Sequence, residues 1–309
     1  MKFNKIVALA LALVMVFALC ACGGGNTDTK TDDTGSASKV DTNTVSVGAI
    51  VIARDDVPTD EIYAFVSTIF DNLDAITAQH AKGGELSIEA AASVKGVPYH
   101  PGAAKYFEEK GFKVDAVKEG AGNGTASALS FGTGGESGTY YAFGSVIAQH
   151  ATNNAGVDIV GLVGNGSQSN IFELEDGNAE LAFCQSDVMA YAYDGTNLFA
   201  DTGAVSCFST VAALYTEQVQ IVTTDPTLKT DPEIKSVDDL KGKNVSIGAA
   251  GSGVYFNAMD VLSAYGLTES DINPTYQSFG DSADSLKNGQ IDAAFIVAGA
   301  PTTAITDLA

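Results

Sequence analysis

A ten-residue pattern occurs twice in this chain. Leu174 to Phe183 reads LEDGNAELAF, and Leu286 to Phe295 reads LKNGQIDAAF. A leucine, a glycine, an acid, an alanine and a phenylalanine coincide at an offset of 112 positions, 286 minus 174. A fixed offset is the sequence mark of a duplicated structural unit. Each copy follows a strand-like run that enters a glycine-rich turn. These runs are ALSFGTGGESG (Ala128 to Gly138) and NVSIGAAGSG (Asn244 to Gly253). Each copy then leads through a strand and a turn into a new helical start, CQSDVMAYAY in the first and IVAGAPTTAITDLA in the second.

The pattern predicts two β-α-β-α-β units. Strands are expected near 128–132, 157–163 and 179–184 in the first and near 244–248, 275–278 and 291–297 in the second. Helices are expected near 138–153, 167–176 and 187–194, and near 254–265, 281–288 and 301–308. Short apolar strands alternating with helices imply an α/β fold, a mainly parallel sheet flanked by helices in each lobe. Two such lobes face each other across a cleft, with ligands outside the carboxyl ends of the strands, where both glycine loops lie. The β-prone run STVAALYTEQVQIVTTDP (Ser209 to Pro226) reads as a crossing strand and hinge, and nothing marks it as chemical.

The amino terminus fixes a compartment. Lys2 and Lys5 precede an apolar run, Ile6 to Leu19, too short for a comfortable membrane span but right for a secretory signal. It ends in ALCACGGG, which resembles the bacterial lipobox and makes Cys22 the expected lipidated residue; Cys20 fits worse, since the large Leu19 would precede the cut. An ordinary cleaved signal is the weaker alternative. Residues 1–21 are then the signal peptide and 22–44 a Thr/Asp/Ser/Lys-rich tether that lacks the apolar content to fold. The localisation expected is the outer face of the bacterial cytoplasmic membrane or the periplasm, held by lipid.

Charge narrows the partners. The chain carries 38 acidic and 16 basic side chains, a formal net charge of -22. That argues against nucleic acid and against polybasic membrane contact. From Leu129 to Leu228 there is no Lys or Arg. The cysteines left beside Cys22, Cys184 and Cys207, could pair or stay as buried thiols, and the apolar setting ELAFC favours thiols. His80, His100 and His150 are far apart in sequence and no spacing reads as a metal site, so no metal and no cofactor are expected.

A glycine-rich turn at a helix start frees backbone N–H groups, and the helix dipole adds partial positive charge there. In the first loop the candidate donors are the backbone of Gly134, Gly135 and their neighbours, the Ser137 and Thr139 hydroxyls, and Tyr140 or Tyr141, of which one faces the cleft. In the second they are the backbone of Gly251 to Val254, Gly253 included, and the Ser252 hydroxyl. The loops are poor nucleotide motifs, since GTGGESG is one residue longer than the dinucleotide pattern and no Lys follows it as a P-loop requires. Without nearby cations, an anion in the first lobe must be held by backbone amides, hydroxyls and side-chain amides. Ser167, Ser169, Asn170 and Gln185 fit that role, and Asp187 could take an ammonium group. Ser167 and Asp187 fit helix N-caps equally well. No nucleophile elbow is present and the acids read as solvated faces, so an enzyme is not expected.

The segments LSFGTGGESGTYYAFGSVIAQ, GNGSQSNIFELEDGNAELAFCQSDV, LKGKNVSIGAAGSGVYFNAMDVLSAYGL and LKNGQIDAAFIVAGAPTTAITDLA closely resemble the TAXI family, the solute receptors of TRAP (tripartite ATP-independent periplasmic) transporters. The resemblance runs from about Val45 to Ala309. It implies a two-lobed periplasmic-binding-protein fold of type II that closes on a small carboxylate. The ligand would be a glutamate-like amino acid or a 2-oxo dicarboxylate, delivered to the TRAP permease subunits. It carries ligand contacts onto Gly134, Gly135, Thr139 and Tyr140, and onto Gln185, Ser252, Gly253 and Asn257. The rival function of another class is a two-lobed sensor for a membrane signalling kinase.

The order of segments departs from the family. Residues 45–115 resemble its carboxy-terminal strand and helices, yet here they come first. A Gly-rich joint at 116–128 leads into lobe 1 at 129–215, and lobe 2 at 216–309 stops inside a helical pattern, so a stretch of the family is expected to be missing. Within the displaced segment, Ile62, Phe65, Val66, Ile69, Phe70, Leu73 and Ile76 keep helical spacing, and Thr59 suits the N-cap. His100 before Pro101 reads as a turn residue with a satisfied ring.

Overall fold

A computed structural model describes residues 44–225 and 233–308. The signal run and Cys22 lie outside them, as does the tether up to residue 43. The strands are β1 (Ser46–Arg54), β2 (Ala128–Gly132), β3 (Asp158–Leu162), β4 (Leu181–Gln185), β5 (Phe208–Thr223), β6 (Asn244–Ser246), β7 (Asn273–Thr275) and β8 (Ala293–Ala298). They form one sheet in the order β3-β2-β4-β1-β5-β8-β6-β7. The parallel strands β3-β2-β4 and β7-β6-β8 mirror each other about the antiparallel pair β1 and β5. Each lobe thus carries the doubly wound 2-1-3 order, completed by an antiparallel strand, of a two-lobed type II binding-protein fold.

The helices are α1 (Thr59–Phe70), α2 (Leu73–Gln79), α3 (Ile88–Ala91), α4 (Pro101–Glu109), α5 (Thr139–Ala155), α6 (Ser167–Glu175), α7 (Ser186–Asp194), α8 (Gly253–Ala264), α9 (Phe279–Lys287) and α10 (Thr303–Thr306).

The repeat is a piece of sheet architecture. Leu174 and Leu286 are both buried, and Phe183 and Phe295 are fully so. Gly177 and Gly289 both adopt positive φ where a helix ends and the next strand begins. The repeated acid accepts a backbone N–H from the first strand of its own lobe: Ser130 N donates to Glu180 Oε2 at 2.8 Å, and Asn244 N to Asp292 Oδ2 at 2.7 Å. The five shared positions are therefore the ones that lock helix, turn and strand together.

β5 is the crossing strand. Its first part pairs with β1, and from Gln218 onward it pairs with β8, so the chain passes between lobes at Gln218 rather than at 215–216. The amino-terminal segment, residues 45–115, is central. β1 lies between β4 and β5. Phe65, Tyr99 and Phe107 from this segment join Phe131, Phe143 and Phe183 in one core. Lobe 2 has smaller clusters, around Val245, Ile247 and Phe295 on one face and Leu286, Ile291 and Ile296 on the other.

Several local expectations are corrected. The apolar run from Ile62 to Ile76 is two helices, broken at Asp71 and Asn72. Asn72 Nδ2 donates to Thr68 O, and Asp71 accepts from Tyr106 Oη and Lys110 Nζ. These side chains hold the chain in a turn that helix propensity alone does not anticipate. Pro58, not Thr59, takes the N-cap, and the Thr59 hydroxyl donates to Gly122 O instead. That bond, with Gly122 N donating to Asp55 O at 2.7 Å, holds the Gly-rich joint against the β1–α1 turn. β7 falls at 273–275 because its register with β6 pairs Asn244 with Asn273. The last helix is one short turn, α10. His100 has a satisfied ring, as expected: Nε2 lies 3.0 Å from Val57 O and Nδ1 accepts from Gly102 N. Cys184 and Cys207 are both free thiols.

Candidate ligand-binding cleft

The carboxyl ends of the parallel strands in both lobes open onto one cavity of about 550 Å³. Its walls are mostly helix starts. α5 begins after the first glycine loop, α6 after Gly166 and α8 after Ser252, and no side chain caps any of the three. A helix start leaves its first N–H groups without intrahelical partners and carries the positive end of the dipole. The fourth helix start on the cavity, α9, is capped by Ser278.

Nine of the eleven expected site residues line this cavity: Gly134, Gly135, Ser137, Thr139, Tyr140, Ser167, Gln185, Ser252 and Gly253. Of the two tyrosines, Tyr140 is the one that lines it. Its ring stacks on Phe183 at 4.6 Å between centroids. Ser167 is the first residue of α6 rather than its cap, and its Oγ accepts from Gln185 N at 3.0 Å. Gln185 and Ser252 are buried, and Gln185 Oε1 and Ser252 Oγ have no hydrogen-bond partner. Buried polar atoms are nearly always paired, so these two are exceptions in the lining.

Asn170 and Asn257 do not line the cavity. Asn170 Nδ2 donates to the carbonyls of Gly132, Thr133 and Phe183, bracing the first loop from beneath. Asn257 Nδ2 donates to Asp187 Oδ2 at 2.7 Å, a bond from lobe 2 to lobe 1. Asp187 is therefore neither helix cap nor cavity lining; Gln185 holds the cap position of α7. Burial pushes the Asp187 carboxyl up, and the Asn257 hydrogen bond opposes that.

The lobes meet at the same loops. Thr139 Oγ1 donates to Gly299 O at 3.0 Å, and Ser169 N donates to Gly251 O at 2.9 Å. Phe279 packs at Gly138. Gly253 presses so closely on lobe 1 that an added Cβ would collide with the Gln185 amide and lie 2.7 Å from Ser167 Oγ.

Sequence reasoning missed Glu217, on the crossing strand. It lines the cavity at 2 % exposure, and Tyr140 Oη donates to its Oε2 at 2.8 Å. Burial raises its pKa to about 8, against the opposing effect of the Tyr140 hydrogen bond. The available signal was an acid inside an otherwise apolar β-run, a position that must be buried or hinge-facing. Gln277 and Phe279, also missed, line the cavity from lobe 2.

The sequence profile of the NMT1-like family matches residues 29–111 and 131–309, most of the chain. The chain belongs to this family. Among solved structures, it is similar to the alkanesulfonate-binding protein SsuA from Xanthomonas axonopodis pv. citri bound to MOPS. The identity is 19 %, over 55 % of this chain and 54 % of that one, with a TM-score of 0.36. It is similar to the periplasmic aliphatic sulphonate binding protein SsuA from Escherichia coli at 20 % identity over 56 % and 54 % of the chains, TM-score 0.31. An ancestral arginine-binding protein bound to arginine matches at 18 % identity over 56 % and 70 %, TM-score 0.35. The NMT1-like chain spans about half the length of the two sulfonate-binding proteins.

Proposed function

We propose that this NMT1-like chain is a non-catalytic extracytoplasmic solute receptor that captures a small carboxylate between its lobes. The observation that carries this reading is the convergence of three helix starts without side-chain caps, α5, α6 and α8, on one cavity with no Lys, Arg or His among the described residues of its lining. Backbone N–H groups at the positive ends of helices stabilise an anion without a cation. The Gln185, Ser167 and Ser252 side chains then set orientation, and hinge movement about β5 near Gln218 closes the lobes on the solute.

The TAXI resemblance extends this reading to delivery of a glutamate-like amino acid or 2-oxo dicarboxylate to TRAP permease subunits. The signal pattern extends it to a lipid anchor at Cys22, on the outer face of the cytoplasmic membrane or in the periplasm. The reading treats residues 45–115, whose strand β1 lies between β4 and β5, as the counterpart of the family's closing segment.

A thermal-shift panel on the purified full chain tests the reading. Small carboxylates or amino acids are expected to raise the melting temperature, because a ligand bound to the native state stabilises it by mass action. A folded sample that responds to none of them would sink it.

A further inference from the structure

Glu217 is the one buried carboxyl among the described residues that line the cavity; Glu136, Asp281 and Asp284 sit exposed at its mouth. A buried carboxylate is costly unless it is paired and hydrogen-bonded. Here one oxygen accepts from Tyr140 Oη. The cation whose charge acts on it, Lys82, is itself bound to Glu85 at 2.5 Å and lies over the Tyr215 ring, outside the cavity lining. No ion pair joins Glu217 to another described residue. The site therefore sets a buried acid beside the helix starts, with no basic residue among the described residues of its lining.

We propose that Glu217 is the ammonium-binding position of this cavity and that it selects α-amino acids over 2-oxo acids. The inference rests on the carboxylate-receptor reading above and names the ligand class within it. The helix starts hold the carboxylate, and Glu217 supplies the countercharge for the amine. A 2-oxo acid brings no positive charge to Glu217 and can only accept the proton of its neutral form, a weaker contact than the charge-assisted one an ammonium group makes.

Proton uptake gives a second signature. The groups around Glu217 are Tyr140 from α5, Cys184 and Gln185 from β4, Asp187 from α7, Tyr215 on its own strand and Lys82 from the 3-10 turn at 81–85. Burial and Asp187 hold the carboxyl protonated at neutral pH, while Tyr140, Lys82 and Gln185 oppose this. An arriving ammonium group favours the ionised form, so binding releases a proton below about pH 8.

Calorimetric titration of the full chain tests this, with L-glutamate, 2-oxoglutarate, glutarate and the amine cadaverine, each in two buffers of different ionisation enthalpy at pH 7. L-glutamate is expected to bind on the order of 100-fold tighter than 2-oxoglutarate or glutarate, with proton release. Glu217→Gln should narrow that ratio to about tenfold or less and abolish the release. The proton count on the unaltered chain stands even where the variant fails to fold. Equal affinity for L-glutamate and 2-oxoglutarate, or no proton release, overturns the Glu217 assignment and leaves the carboxylate reading standing. Binding of cadaverine without any acid overturns the carboxylate reading and supports Glu217. No binding of any of the four overturns both.

Discussion

The two glycine loops stand at equivalent ends of their lobes, yet they use glycine differently. None of the glycines from Gly132 to Gly138 adopts positive φ, and a Cβ added at Gly135 would meet nothing within 4 Å. In the second loop, Gly248 sits at φ +87°, with an added Cβ 2.6 Å from Val254 Cβ. Gly253 touches the other lobe. The first loop thus keeps bare backbone open to the cavity, whereas the second needs glycine to make its turn and to let the lobes close. Duplicated sequence has preserved the position of the loops and not the reason for each residue.

This contrast can be broken by substitution, and the largest effect is expected at the seam. Gly253→Ala should abolish detectable solute binding while leaving the melting temperature nearly unchanged, because its obstacle lies across the cleft. A titration paired with a melting curve checks both. Gly248→Ala should instead lower stability by at least about 1–3 kcal/mol, the cost of forcing a side chain into a left-handed conformation; denaturant unfolding reads it. Gly135→Ala should change stability by no more than about 0.5 kcal/mol. A large loss there would erase the difference between the loops.

A comparison of β5 with its surroundings gives a further test. Glu217 has a folded pKa raised to about 8 by burial. The native state then holds a proton that the unfolded state has already lost, so this group's contribution to stability falls as pH rises from about 4.5 through about 8. Glu217→Gln should flatten that decline in melting temperature. An unchanged slope would mean that the carboxyl is not buried as described.

Much of this was legible in the sequence, for reasons particular residues make plain. The repeat at Leu174 and Leu286 revealed the two lobes because a helix, a left-handed turn and a strand clamped by an acid need the same residue types each time. The glycine loops placed the cleft. Other features depend on contacts made far away along the chain. Asn170 was chosen as a polar residue near the loops and Asn257 through the family resemblance, but three backbone carbonyls claim the first and Asp187 in the other lobe claims the second. Glu217 was hidden because its partner, Tyr140, is 77 positions away. The break at Asp71 escaped notice because Tyr106 and Lys110, which hold it, come from helix α4 and the residue that follows it.

The central claim is that helix starts from both lobes grip one anionic solute. A crystal structure of the full chain grown with saturating L-glutamate tests it most directly. The ligand's carboxylate is expected between the loops, within hydrogen-bond distance of backbone N–H groups at the start of α5 or α6 and at the start of α8. A ligand bound by one lobe alone, or an empty cleft at saturation, would contradict the account.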